Sequence, residues 1–301
     1  MTRVRIERIE NMSFKSIQQI IKKSEEYHLN FYEAVLKEDC EDRHVTIEES
    51  KKMMEAMLDA MLESDASYDS SLRSTSGLVG GDAQKMSDAR KAKILYSDEF
   101  YALAIERAIK TGENNACMKR IVAAPTAGSS GVVPAVILTL LELGHFSREE
   151  IIEALYVMAG IGQVLATRAF ISGAEGGCQA EVGSASAMAA GALAYLKTKD
   201  NEKIAGAISN AIKNLLGLVC DPIAGLVEVP CIKRCVIGAV NAISAADMAI
   251  AGVSNPIPVD EVIDAMRSVG IKMDSSLRET GEGGLAATPT GEKVKESLGK
   301  Y

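Results

Sequence analysis

The sequence predicts an all-α protein: a glycine-rich helical core behind an N-terminal helical hairpin. Three observations carry that reading. Apolar residues recur at helical spacing through most of the chain, strict apolar–polar alternation is nearly absent, and glycine-rich turns interrupt the apolar segments. At 301 residues the chain can bury a sizeable core, divided as 1–70 and 71–301 or continuous as one domain.

The elements follow in order. Residues 13–67 carry helical periodicity with dense charge, in "SIQQIIKKSEEYHLNFYEAVLKE" and "TIEESKKMMEAMLDAMLES". Thr46 followed by Glu49 forms a capping-box pattern at the start of the second helix. These two helices read as a solvent-facing subdomain or an arm packed on a partner. "SLRSTSGLVGGDAQKM", 71–86, reads as a Ser/Gly loop, and a helix over about 97–111 ends at Thr111-Gly112. After residue 120 the chain becomes small and apolar, as in "IVAAPTAGSSGVVPAVILTLLELG" and "EEIIEALYVMAGIGQVLATRAFISGAEGGCQAEVGSASAMAAGALAYL". Successive helices broken by Gly-rich turns fit it. Helix resumes at about Ile232, a last helix spans roughly 259–269, and "RETGEGGLAATPTGEKV" reads as a flexible tail or as a segment closing over a site.

Composition excludes several classes of function. With 41 acidic against 33 basic residues, the net charge of −8 argues against nucleic acid. Aromatics at 4% and the absence of Trp leave no stacking platform for bases. "MTRVRIERIENMSFKS" lacks the apolar stretch of a signal peptide. The nearest approach to a membrane span, "EVGSASAMAAGALAYLK", has the small residues of a tightly packed core helix. A cytoplasmic protein is expected, and in that compartment thiols stay reduced.

Two of the six cysteines bracket "CDPIAGLVEVPC", residues 220–231. As one helix, this stretch would hold the thiols about 16 Å apart, beyond a single metal centre. Asp221-Pro222 and Val229-Pro230 oppose a continuous helix, and Gly225 allows the chain to turn back. A closed loop joining Cys220 to Cys231 results. Cys178 in "EGGCQAE" is a third thiol, placed after two glycines at a helix start, where dipole and amides favour a thiolate. Iron–sulfur, zinc, and three merely buried thiols remain open on spacing alone.

"EGGCQAEVGSASAMAA", "GLVCDPIAGLVEVPCIKR", "APTAGSSGVVPAV" and "RETGEGGLAATPTG" closely resemble the α subunit of bacterial iron–sulfur-dependent L-serine dehydratase, over about residues 13–291. The resemblance implies an all-α lyase of amino-acid catabolism, converting L-serine to pyruvate and ammonia. It implies a 4Fe–4S cluster on Cys178, Cys220 and Cys231, with one iron left open to substrate. It also implies a β subunit carrying a Ser-Ser-Ser-His-Thr motif that these residues lack, hence a two-chain enzyme. Three thiolates without a fourth suit the reaction, since an open iron is a Lewis acid for a departing hydroxide. Cys235 departs from the family's Asn and lies one turn from Cys231, where it invites a four-cysteine zinc reading. Cys40 and Cys117 look incidental.

"PTAGSSG", 125–131, is the candidate for the substrate carboxylate: Thr126, Gly128, Ser129, Ser130 and Gly131 offer free amides and hydroxyls at a helix start. The pattern alone favours an ordinary helix cap, and it is the resemblance that turns the reading toward a substrate site. Ser76 in "STSGLVGGD" belongs to a second loop that could close over the site. No general base stands out. His28, His44 and His145 lie away from the motifs, and Lys233 and Lys85 are weak candidates. A base from the β subunit is the preferred expectation. Two other functions compete: an iron–sulfur lyase releasing sulfide from cysteine, and a non-enzymatic zinc- or cluster-binding module.

Overall fold

The computed structural model describes residues 14–299. The reading of the N-terminus as free of an apolar leader falls mainly on residues 1–13, outside that range. Among the described residues there are thirteen α-helices, no strand, and one isolated bridge between Cys220 and Arg278. The all-α expectation is met.

Local chemistry explains several of the early boundaries. α1 (Ile17–Glu26) starts at Ser16, whose hydroxyl accepts from the Gln19 N–H at 3.0 Å. The first of the two expected N-terminal helices is split. The chain turns at Tyr27–Asn30 with His28 in the left-handed region (φ 52°), and α2 (Phe31–Arg43) restarts where Glu33 accepts from the Asn30 N–H at 2.7 Å. α3 (Ile47–Ala66) carries the expected Thr46–Glu49 box, with reciprocal bonds of 3.2 and 2.9 Å.

The stretch 71–86 is not a loop throughout, because α4 (Asp82–Lys91) begins inside it. No local side chain caps α4. Glu113 of α5 (Glu99–Ala116) does so instead, accepting from the Asp82 and Ala83 N–H groups at 2.7 and 3.2 Å. A cap delivered from another helix leaves no signature in the neighbouring sequence. α5 also runs past its expected stop at Thr111-Gly112. Gly112 serves close packing rather than termination, since a Cβ there would lie 2.9 Å from Ile232 Cγ1.

The core follows as α6 (Val132–Glu142), α7 (Arg148–Arg168), the single turn α8 (Gly173–Gly176), α9 (Cys178–Thr198), α10 (Asn201–Leu215), α11 (Cys231–Ala251) and α12 (Val259–Lys272). A further helix, α13 (Pro289–Ser297), begins within the segment read as either a flexible tail or a cover over a site. It has Pro at its first position and the Thr288 hydroxyl accepting from the Gly291 N–H at 3.1 Å.

α9 is the axis of the fold. Every residue from Cys178 to Leu196 is buried, and α6, α7, α10, α11 and α12 pack around it. Its Ala, Gly and Ser residues bury little area each, but they let larger neighbours come close and fill space. A Cβ on Gly191 would lie 2.4 Å from Ile161 Cδ1 of α7. By length and composition α7 could cross a bilayer, yet 67% of that apolar window is buried inside the fold. One hydrophobic cluster extends from Phe14 and Ile17 to Met266, and Asp260 of α12 accepts from the Ile17 and Gln18 N–H groups at 2.9 and 3.2 Å.

A buried amide pins three of the central helices together. Asn241 of α11 donates to the Ser186 hydroxyl of α9 (2.9 Å) and the Ala211 carbonyl of α10 (3.0 Å), and accepts from Asn214 (2.7 Å). Asn241→Ala strands all three partners. It is expected to lower stability by about 2–3 kcal/mol, measured as a lower urea midpoint at unchanged slope.

Candidate metal centre

Two of the three singled-out cysteines open long buried helices: Cys178 is the first residue of α9, and Cys231 the first of α11. The third, Cys220, sits on the connection between α10 and α11. Gly177 makes the sharp entry to α9 with φ 74°, and a Cβ there would meet Met273 Sδ at 2.6 Å. The Gln179 side chain then fastens the approach to Cys220. It accepts from the Gly217 N–H (2.9 Å) and donates to the Met266 carbonyl (3.0 Å), while its backbone N–H donates to the Leu218 carbonyl (2.9 Å).

The 220–231 segment is the closed loop expected from its prolines and Gly225. Ile223 N–H donates to the Val229 carbonyl at 2.9 Å, and Ala224 and Gly225 turn the chain with φ of 54° and 71°. The C-terminal motif holds this loop from outside. Cys220 N–H donates to Leu277 O (2.8 Å), Glu279 N–H donates to Cys220 O (2.7 Å), and Leu285 N–H donates to Asp221 Oδ2 (2.7 Å). "RETGEGGLAATPTG" is therefore packed on the loop rather than a free tail.

All six cysteines are free, and Cys178, Cys220 and Cys231 are buried. The sulfurs of Cys178 and Cys220 and a carboxylate oxygen of Glu181 lie within 4.8 Å of one another. The hydrogen bond from the Cys220 thiol, with the Arg234 guanidinium alongside, holds the Cys178 thiol below the ordinary cysteine range. Cys220 is pushed up by that same bond and by burial. Of the two thiols, Cys178 is thus the one that its surroundings favour as thiolate. Cys231 is pushed up by burial and then by the charge of Cys178. Burial and the neighbouring Glu279 raise the Glu181 carboxyl above the usual range.

Arg234, one turn after Cys231, is the cation of the site. It donates to Cys178 Sγ at 3.5 Å and to the Val219 carbonyl at 2.6 Å, and pairs with Asp221 at 2.7 Å. Lys233 points elsewhere: it and Lys85 both pair with Asp82, at 2.9 and 2.8 Å, and are 57% and 79% exposed. His28, His44 and His145 are exposed. Cys235 is turned toward the 125–131 loop, its thiol donating to the Gly128 carbonyl at 3.3 Å and pushed up to about 12 by burial.

The 125–131 loop abuts the cluster. Thr126 Oγ1 donates to Glu181 at 2.6 Å and lies 2.9 Å from the Ser129 hydroxyl. A Cβ on Gly128 would lie 2.7 Å from Glu181 Oε1, and one on Gly131 would lie 2.8 Å from Cys235 Cβ. Ser129 and Ser130 are buried. A narrow gap lined by Gly128, Ser130, Cys231 and Cys235 joins this loop to the third cysteine. Ser76 is held elsewhere, donating with Ser74 to the buried Glu228 of the 220–231 loop. A separate cleft of about 740 Å³ between α2, α3 and α7 has Met53, Met57 and Tyr156 in its walls and none of these cysteines.

Sequence reasoning missed Glu181, Asp221 and Glu279. For Glu181 a signal existed: it stands three residues after Cys178, on the same helix face. Asp221 and Glu279 act through contacts that the order of residues does not disclose.

Residues 26–286 match the serine dehydratase alpha chain family. The chain is 43% identical to a probable L-serine dehydratase alpha chain of Bacillus subtilis, over 95% of each chain. It is 44% identical to the L-serine dehydratase alpha chain of Peptoniphilus asaccharolyticus, over 93% of this chain and 96% of that one. An L-serine dehydratase of Helicobacter pylori is 42% identical over 63% of this chain but only 41% of its own length.

Asp221 holds both Arg234 and the C-terminal segment, so Asp221→Ala is expected to loosen that segment first. Amide exchange at Glu279 and Leu285 should accelerate by at least about ten-fold while exchange in the middle of α9 changes little. Mass-spectrometric exchange on the purified chain measures both.

Proposed function

The chain belongs to the serine dehydratase alpha chain family, and we propose that it carries the iron–sulfur centre at which L-serine is converted to pyruvate and ammonia. One observation carries the finer reading: the buried free thiols of Cys178 and Cys220 lie within 4.8 Å of each other and of Glu181, beside the buried Arg234, with the buried Cys231 close enough to feel the charge of Cys178, while Cys235 is engaged with a backbone carbonyl. That donor set fits a cluster with three protein ligands and one open iron better than a closed four-cysteine zinc site.

Cys178, Cys220 and Cys231 would hold the cluster, and the Cys220 thiol and Arg234 favour the thiolate form at Cys178. When bound, such a cluster supplies a Lewis-acidic iron for the departing hydroxyl of the substrate. The overall chemistry removes the α-proton and the β-hydroxide as water, leaving aminoacrylate, which tautomerises and is hydrolysed to pyruvate and ammonia. Arg234 offsets thiolate charge that burial would otherwise penalise. The 125–131 loop offers amides at the start of α6, with the Thr126 and Ser129 hydroxyls, to the substrate carboxylate. Ser76, bonded to Glu228, would act at one remove by holding the 220–231 loop.

The proton acceptor is assigned to a partner subunit, in keeping with the relatives' designation as alpha chains. The histidines of this chain are exposed, and Lys85 and Lys233 are paired with Asp82. A base has to lie within about 3 Å of the proton it takes, or one water away. A reducing, cytoplasmic setting suits six free thiols.

Two outcomes test this reading. After anaerobic reconstitution, iron and acid-labile sulfide should fall to background in Cys178→Ser, Cys220→Ser and Cys231→Ser, and persist in Cys235→Ser. Normal iron in Cys220→Ser would sink the ligand assignment. The reconstituted chain alone should not turn over serine, and addition of the partner subunit should produce pyruvate. Full activity from the single chain would place the base on this chain instead.

A further inference from the structure

We propose that Glu181 receives the α-ammonium group of the substrate and so selects an amino acid over the corresponding hydroxy acid. This rests on the assignment of L-serine above. Charge accounting is its first support. Glu181 is only 8% exposed, and no lysine or arginine among the described residues pairs with it. The nearby cation, Arg234, is already committed to Asp221, Val219 O and Cys178. A buried carboxylate without a counter-cation is costly, and a ligand that brings a cation removes the cost.

Position is the second support. The carboxylate lies within 4.8 Å of the Cys178 and Cys220 sulfurs. It also accepts from the Thr126 hydroxyl at 2.6 Å, in the loop assigned to the substrate carboxylate. It is therefore adjacent to the groups assigned to both other functional groups of serine. The ammonium of serine is borne on the carbon between its carboxylate and its hydroxymethyl group, so a receptor for it belongs there.

Selectivity of contact is the third. Thr126 occupies one oxygen of Glu181, and the second has no hydrogen-bond partner among the described residues. The absence of a side chain at Gly128 lets the 125–131 loop pack directly on the carboxylate, for a Cβ there would come within 2.9 Å of both oxygens.

The test uses the anaerobically reconstituted complex with its partner subunit, as wild type, Glu181→Gln and Glu181→Asp. Binding of L-serine and of 3-hydroxypropanoate, which is serine without its amino group, is read by calorimetry, and iron content is measured in parallel. Glu181→Gln should weaken serine by about 30- to 1,000-fold. It should change 3-hydroxypropanoate by less than about three-fold, with iron unchanged. Glu181→Asp should keep part of the preference for serine, which a merely structural role would not. Equal weakening of both ligands, unchanged serine binding, or loss of iron in Glu181→Gln would each overturn the proposal, the last by making Glu181 a metal ligand. Failure of the cluster reading would appear separately, as absence of iron from the wild-type complex.

Discussion

The site depends on one buried ion pair, Arg234 with Asp221 at 2.7 Å. Through it four parts of the chain meet: α11, which carries Arg234; the 220–231 loop, which carries Asp221; the start of α9, through Cys178 Sγ; and the C-terminal segment, through the Leu285 N–H. Burying two charges is expensive, and further hydrogen bonds to each partner offset part of that cost. Arg234 has the Val219 carbonyl and Cys178, and Asp221 has Leu285. What the pair confers is less net stability than a fixed geometry for sulfur atoms drawn from distant parts of the sequence.

Those sulfurs need such a frame because the site gathers ionisable acidic groups inside a hydrophobic fold. Cys178, Glu181, Asp221 and Glu279 stand near one another with Arg234 as their principal cation. The surrounding helices restrain this polar group instead of diluting it. α9 is buried along nearly its whole length, and its small residues let five neighbouring helices fix its position. A helix so enclosed has little freedom to shift its first turn, where both Cys178 and Glu181 reside.

How much was legible in the sequence follows from how local each cause is. The Thr46–Glu49 box and the prolines of 220–231 act on their own neighbours, and the helix start and loop they imply are present. The three cysteines stood out because their motifs are long and unusual. The start of α4 was missed because its cap, Glu113, comes from another helix. The continuation of α5 was missed because Gly112, a common helix stop, is here a contact point for Ile232. Glu181 carried an i, i+3 relation to Cys178, but only the fold reveals that no cation answers it. Lys233 and Arg234 are adjacent in sequence and diverge in space, because neighbours on a helix face different directions.

The three thiols are not held equally. Cys178 and Cys231 are built into the first turns of long, packed helices, so their positions follow from the core. Cys220 is on a connection, and its backbone is fixed by the bridge to Leu277 and Glu279 and by the Gln179 side chain near Gly217. Those partners lie about forty to sixty residues away on either side in sequence. Docking of the C-terminal segment and placement of the third sulfur are therefore one event. Of the two readings of this segment, a flexible tail or a cover, it is the second that its packing on the loop supports, and α13 continues that cover beyond it.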